Sequence, residues 1–164
     1  MRRLESGSSI IYLDDRFFPV VISTWVGTAN LENCEAFAAW HTEQLERAIA
    51  AGLHMVSISD SARAERPPPV VRRFFADWTA KWDEEAGDRV TSIAVITNPL
   101  LRGAMTAIGW IRPEVQRVVT VPDVREALAR AIEILEEHGQ PAPAGLDPDT
   151  YVSPAEDERA AGGT

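Results

Sequence analysis

Hydrophobic and polar positions change their period repeatedly along this chain, and each change predicts an element. Ile10 to Leu13 is a short apolar run, Asp14-Asp15-Arg16 a turn, and Val20 to Val26 (VVISTWV) a second, β-branched run. Two strands joined this closely are expected to pair antiparallel as a hairpin. From Leu31 to Ala51 the spacing becomes helical. Leu31, Cys34, Phe37, Ala38, His41, Leu45, Ala48 and Ile49 fall on one side, and Glu32, Glu35, Glu43 and Glu46 largely on the other. Thr28 or Asn30 supplies the cap at its start and Gly52 the stop at its end.

Leu53 to Ser59 (LHMVSIS) predicts a third strand that ends at Asp60, and Ser61 to Pro69 a loop. Pro67-Pro68-Pro69 cannot continue a strand, but the last proline can open a helix, which then runs to about Glu85. Val71, Phe74, Phe75, Trp78 and Trp82 form its inward stripe. Arg89 to Thr97 is the fourth strand, and Asn98-Pro99 turns the chain into a short helix ending near Ile111. That helix turns Leu100, Leu101, Ala104, Met105 and Ile108 inward and Arg102, Thr106 and Trp110 outward. Val115 to Val121 is a fifth strand. Asp123 with Glu126 has the form of a capping box, opening a last helix that reaches His138.

Residues 1–9 read as a flexible lead-in, and residues 139–164, rich in Pro, Ala, Gly and Asp, as a disordered tail. Between them, the order β-β-α-β-α-β-α-β-α over residues 10–138 predicts an α/β domain. With right-handed crossovers it becomes a mixed, mostly parallel five-stranded sheet with four flanking helices.

Composition narrows the function. At 164 residues the chain is the size of one domain, and its net charge of -9 argues against a protein that neutralises nucleic-acid phosphates. The single cysteine, Cys34, allows no intramolecular disulfide and no paired-cysteine zinc site, which fits a reducing cytoplasm. Arg2-Arg3 is followed by Leu4-Glu5-Ser6 rather than by the apolar run of a signal peptide. Nor does any segment reach the roughly 18 apolar residues of a membrane span, so no integral membrane segment is expected.

The candidate chemistry is sparse. Cys34 and His41 lie two helical turns apart, about 10 Å of rise, too far for a direct thiol–imidazole bond, and they read as a buried cysteine and a half-buried histidine. His54 opens a strand and His138 closes a helix, and no pair of histidines has metal-binding spacing. No catalytic constellation, metal or cofactor is therefore expected. Most carboxylates, including Asp14-Asp15, Asp83-Glu84-Glu85 and Glu133-Glu136-Glu137, read as solvated charge at turns or on helix exteriors. Asp60 differs, because ligands of open α/β sheets bind beyond the carboxyl ends of the parallel strands. Around the proline-rich loop, Arg63, Arg66, Arg72 and Arg73 offer guanidinium groups to an acidic partner.

The element order, with a strand ending ITNP that runs into LLRGAMTAIGWI, resembles the STAS domains, the SpoIIAA-like family of anti-sigma-factor antagonists, over roughly Ile10 to His138. The resemblance implies a non-catalytic cytoplasmic protein-interaction module. Phosphorylated members of that family carry Asp-Ser-Ser-Gly where this chain has Ile58-Ser59-Asp60-Ser61 followed by the Arg/Pro loop. The serine phosphoswitch is accordingly expected to be absent, with Asp60 and Ser61 tying down the loop instead. The surface for a protein partner is expected at Asp60, Ser61, Arg66, Arg72, Arg73, Arg102, Thr106 and Trp110, and self-association through the Trp110 face or the hairpin edge stays open. A second reading is a small-ligand or lipid-binding domain of STAS or Sec14 type, its apolar cavity lined by Phe74, Phe75, Trp78, Met105 and Ile108.

Overall fold

Six strands lie in sequential order in one sheet in the computed structural model, which describes residues 1–97 and 118–161. They are β1 (Arg2–Ser6), β2 (Ser9–Asp14), β3 (Val20–Gly27), β4 (Met55–Ala64), β5 (Val90–Val95) and β6 (Val118–Val121). β1, β2 and β3 pair antiparallel, and β3 to β6 pair parallel. Among the described residues the helices are α1 (Leu31–Ala51), α2 (Pro69–Ala86), α3 (Val124–Glu137) and α4 (Pro154–Ala161). The expected helix over residues 99–111, with Arg102, Thr106 and Trp110, lies outside the described residues.

The mixed α/β sheet is as expected, with one strand more. That strand, β1, comes from the stretch expected to be a flexible lead-in and pairs from Arg2↔Leu13 to Ser6↔Ser9. Leu4 packs against the core, while Arg2 and Arg3 keep the new sheet edge charged, a feature that discourages edge-to-edge association.

Side chains alternate between the two faces of the sheet. Ile11, Leu13, Val21, Trp25 and Met55 join the core under α1 and α2. Val20, Ile22, Val56, Ile58, Ile93, Val95 and Val121 join a second core with Ala127, Leu128, Ala131 and Leu135 of α3. The helix boundaries follow their caps. Asn30 Oδ1 accepts the Asn33 N–H at 3.0 Å, and Gly52 ends α1 in the left-handed region at φ 66°.

Four expectations need correction. β4 does not stop at Ser59 but runs on to Ala64, so Ser61 sits on a strand and not in a loop. The cause is β3, whose far end still offers backbone groups: Val26 pairs Arg63, Gly27 pairs Ala64, and the Glu65 N–H reaches the Gly27 carbonyl at 2.9 Å. Asp14 is not solvated, being 1% exposed and held by Arg16 Nε at 2.9 Å and Nη2 at 2.7 Å. His41, expected on the inward stripe of α1 but half-buried, is fully buried under α2. The stretch after α3 is not a free tail, because Leu146 joins the α3 core and Tyr151 packs edge-on to Phe17 at 6.0 Å.

Candidate functional site

Asp60 lies where β4 passes between Thr24 of β3 and Val95 of β5, near the carboxyl ends of the parallel strands. In the alternation of β4 it follows Val56 and Ile58, so its side chain lies on the α3 face. It is 4% exposed, and its Oδ1 accepts the Ala62 N–H at 3.1 Å. Burial raises its carboxyl pKa above the ordinary value, and the nearby Glu156 adds to the rise, against the Ala62 N–H and Arg63.

Asp60 forms one wall of a cleft of about 350 Å³. Ala62 and Arg63 continue that wall, Val95 and Thr97 come from the end of β5, and Asp123, Val124 and Arg125 from the start of α3. The remaining side is the C-terminal segment, through Pro148, Tyr151, Ser153 and Glu156. Much of the charge here is already engaged. Asp123 Oδ1 accepts the Glu126 N–H at 2.8 Å and so caps α3. The Arg125 Nε donates to Asp149 at 2.6 Å, and the Arg63 guanidinium donates to the Ala155 carbonyl. Tyr151 Oη and Ser153 Oγ are buried without a hydrogen-bond partner among the described residues, and the phenol's pKa is pushed up by burial first and then by Asp14.

Of the residues singled out from the sequence, the structure brings Asp60 and Arg63 into this cleft. Ser61, Arg66, Arg72 and Arg73 are exposed and lie outside it, toward the entry to α2. Tyr151, Ser153 and Glu156 carry no local signal of a site, because composition assigns their segment to a tail. One signal was present: Tyr151 is the only aromatic residue after Trp110 in the chain.

Neither the histidines nor the cysteine line the cleft. His41 Nε2 lies 2.7 Å from Ser57 Oγ, its ring is enclosed by Trp78 and Trp82, and burial lowers its pKa to about 4. His54 and His138 stack on each other at 3.6 Å. The Cys34 thiol is buried, which pushes its pKa up to about 11. Among the described residues no three His, Cys, Asp or Glu side chains are grouped to hold a metal ion. Phe74, Phe75 and Trp78 pack in a ring cluster with Trp25 and Phe37, with centroid separations of 5.4 Å for Phe37–Trp78 and 5.8 Å for Trp25–Phe75. Met105 and Ile108, the other expected lining of an apolar cavity, are outside the described residues.

No protein-family model matches the chain, and neither does any curated protein. Among solved structures it is similar to an uncharacterized protein of the DUF3478 family from Shewanella loihica PV-4, itself described as having a SpoIIAA-like fold. The TM-score is 0.50 at 18% identity, over 78% of this chain and 98% of that one. The chain has a SpoIIAA-like fold. At this identity the likeness concerns the fold alone, and functions differ widely on shared folds. Among the described residues no helix is long and apolar enough to cross a membrane.

Proposed function

We propose that this SpoIIAA-like domain is a non-catalytic interaction module of the cytoplasm that docks an acidic protein surface where β4 hands over to α2. The observation that carries the reading is the exposed apolar Val70, 53% accessible in the first turn of α2, set among exposed Arg66, Arg72 and Arg73 in a protein of net charge -9. An apolar contact rimmed by guanidinium groups suits a partner helix or loop bearing carboxylates, because arginine binds carboxylate in two parallel hydrogen bonds and is weakly hydrated. Arg73 is held only loosely by Asp77, at 3.9 Å one helical turn on, and so remains available. The proposal extends to Ser61, exposed on β4, and to Arg102, Thr106 and Trp110. Asp60, being buried, acts here only by fixing the backbone at Ala62.

The reading without catalysis is supported by the place of the histidines and the cysteine, all of them away from the Asp60 cleft. The test is reconstitution. A partner recovered from the native host is purified and titrated against the wild type, Val70→Ser and the double variant Arg72→Glu/Arg73→Glu. The charge-reversed variant is expected to bind at least about tenfold more weakly while melting with the wild type, which is the scale of a lost pair of charge-assisted contacts. Equal affinity of all three proteins for that partner would refute the proposed surface.

A further inference from the structure

The segment from Gln140 through α4 is held to the body of the protein by side chains. Past its root, its backbone hydrogen bonds among the described residues are internal. The Leu146 N–H donates to the Pro143 carbonyl at 3.1 Å, the Tyr151 N–H to Asp147 at 3.0 Å, and the Glu156 and Asp157 N–H groups to Ser153 at 2.9 and 3.1 Å. The root is Gln140, whose N–H donates to the Leu135 carbonyl and whose side chain grips the His54 backbone. Beyond it the ties are few. The Arg63 guanidinium donates to the Ala155 carbonyl, Tyr151 packs edge-on to Phe17, and Leu146 joins the α3 core. Arg125 pairs with Asp149, but both side chains are 69% exposed, and so open an ion pair adds little.

The seat of the segment is also imperfect. Tyr151 Oη and Ser153 Oγ are buried with no hydrogen-bond partner among the described residues, and Asp60, 4% exposed, shares the cleft with a second carboxylate, Glu156. Lifting the segment returns water to these groups, so closure works against their hydration. No backbone bond to the sheet has to break for it to lift. The place it covers is the crevice outside the carboxyl ends of the parallel strands, bounded by Asp60, Ala62, Val95 and Thr97, where open α/β sheets take their ligands.

We propose that the segment from Gln140 through α4 is a displaceable strap, closed over this crevice in the free protein and able to lift while the sheet, α1, α2 and α3 stay folded. It is an autoinhibitory contact. Whatever enters the crevice displaces the strap, and its release frees the Arg63 guanidinium from Ala155. The strap does not depend on the basic surface at α2, and either one stands if the other fails.

Thiol labelling of the full chain tests this. Ser153→Cys places a thiol of nearly the same size at a position 7% exposed beneath the strap, and Cys34, 0% exposed, reports opening of the core in the same molecule. With iodoacetamide in low urea, read by peptide mass, the introduced thiol is expected to react at least about 100-fold faster than Cys34 and with little dependence on urea, because a local opening exposes little surface. It is also expected to react at least about tenfold more slowly than in the unfolded chain, because the strap is closed most of the time. Adding Arg63→Gln, which removes the tie to Ala155, is expected to speed that thiol about fivefold and leave Cys34 unchanged, the scale of one hydrogen bond. Reaction of both thiols at one rate and one urea dependence overturns the proposal, as does reaction of the introduced thiol at the unfolded rate. Should Ser153→Cys melt below the wild type, thermolysin digestion of the wild type decides. Cutting between Leu146 and Val152 at a rate independent of low urea supports the strap, and resistance there until the whole chain unfolds overturns it.

Discussion

Gln140 grips His54 as a neighbouring strand would. Its Oε1 accepts the His54 backbone N–H at 2.6 Å, and its Nε2 donates to the His54 carbonyl at 3.2 Å. The bond pair joins the exit of α3 to the start of β4, beside the stacked rings of His54 and His138. Gln140→Ala leaves a part-buried N–H and C=O without partners and is expected to cost about 2 kcal/mol, two bonds at roughly 1 kcal/mol each. Urea denaturation measures it. A loss below about 0.5 kcal/mol, the ordinary scatter of surface substitutions, shows that water replaces the amide at no cost.

His41 makes stability depend on pH. Its pKa falls from 6.5 in the unfolded chain to about 4 in the folded protein, because burial disfavours the imidazolium. Between these values the unfolded chain binds the extra proton, so stability rises with pH. The contribution is complete above about pH 6.5 and lost on acidification toward pH 4, to a total on the order of 3 kcal/mol. His54, also lowered by burial, acts in the same direction. Denaturant melts of the wild type and His41→Gln at pH 7 and pH 5 are expected to show a smaller pH effect in the variant. Parallel losses in the two proteins would remove His41 from the account.

Gly27 ends β3 at φ 73°, and a Cβ built there meets the Ser8 carbonyl oxygen at 2.1 Å. Both the backbone region and the clash oppose any side chain, and the obstacle is rigid backbone from the β1–β2 turn. Gly27→Ala is expected to cost about 3 kcal/mol. Gly52→Ala serves as the comparison, since it shares the positive φ but meets nothing within 4 Å. Equal losses at the two positions would mean that the Ser8 contact relaxes freely.

Cys34 is 0% exposed, with its thiol pushed up to about 11. Reactivity belongs to an accessible thiolate, so Ellman's reagent at pH 8 is expected to label the native protein at least ~100-fold more slowly than the urea-unfolded chain. Fast labelling of the folded protein would show that α1 opens locally.

Much of the fold was legible because its signals are local. The α1 boundaries follow from an Asn30 cap, a 3.6-residue apolar stripe and a Gly52 stop, all within one contiguous stretch. Asp60 was legible as a candidate because a strand followed by a helix implies parallel pairing, and parallel strands present ligands at their carboxyl ends. β1 was not, because a strand as polar as Arg2–Ser6 exists only by pairing with the edge of β2. Ser61 was misplaced for a related reason, since the extent of β4 is set by the length of β3 beside it.

Sequence alone determined the succession of strands and helices, the acidic outer face of α1 and the absence of paired cysteines, each a property of neighbours along the chain. Tertiary structure decided which carboxylates are buried, Asp14 and Asp60 among them, because burial depends on what folds over a residue. It also decided the cleft. Asp60 and Ser153 are far apart in sequence and share one space only because the segment after α3 returns across the sheet, a path that no local pattern encodes.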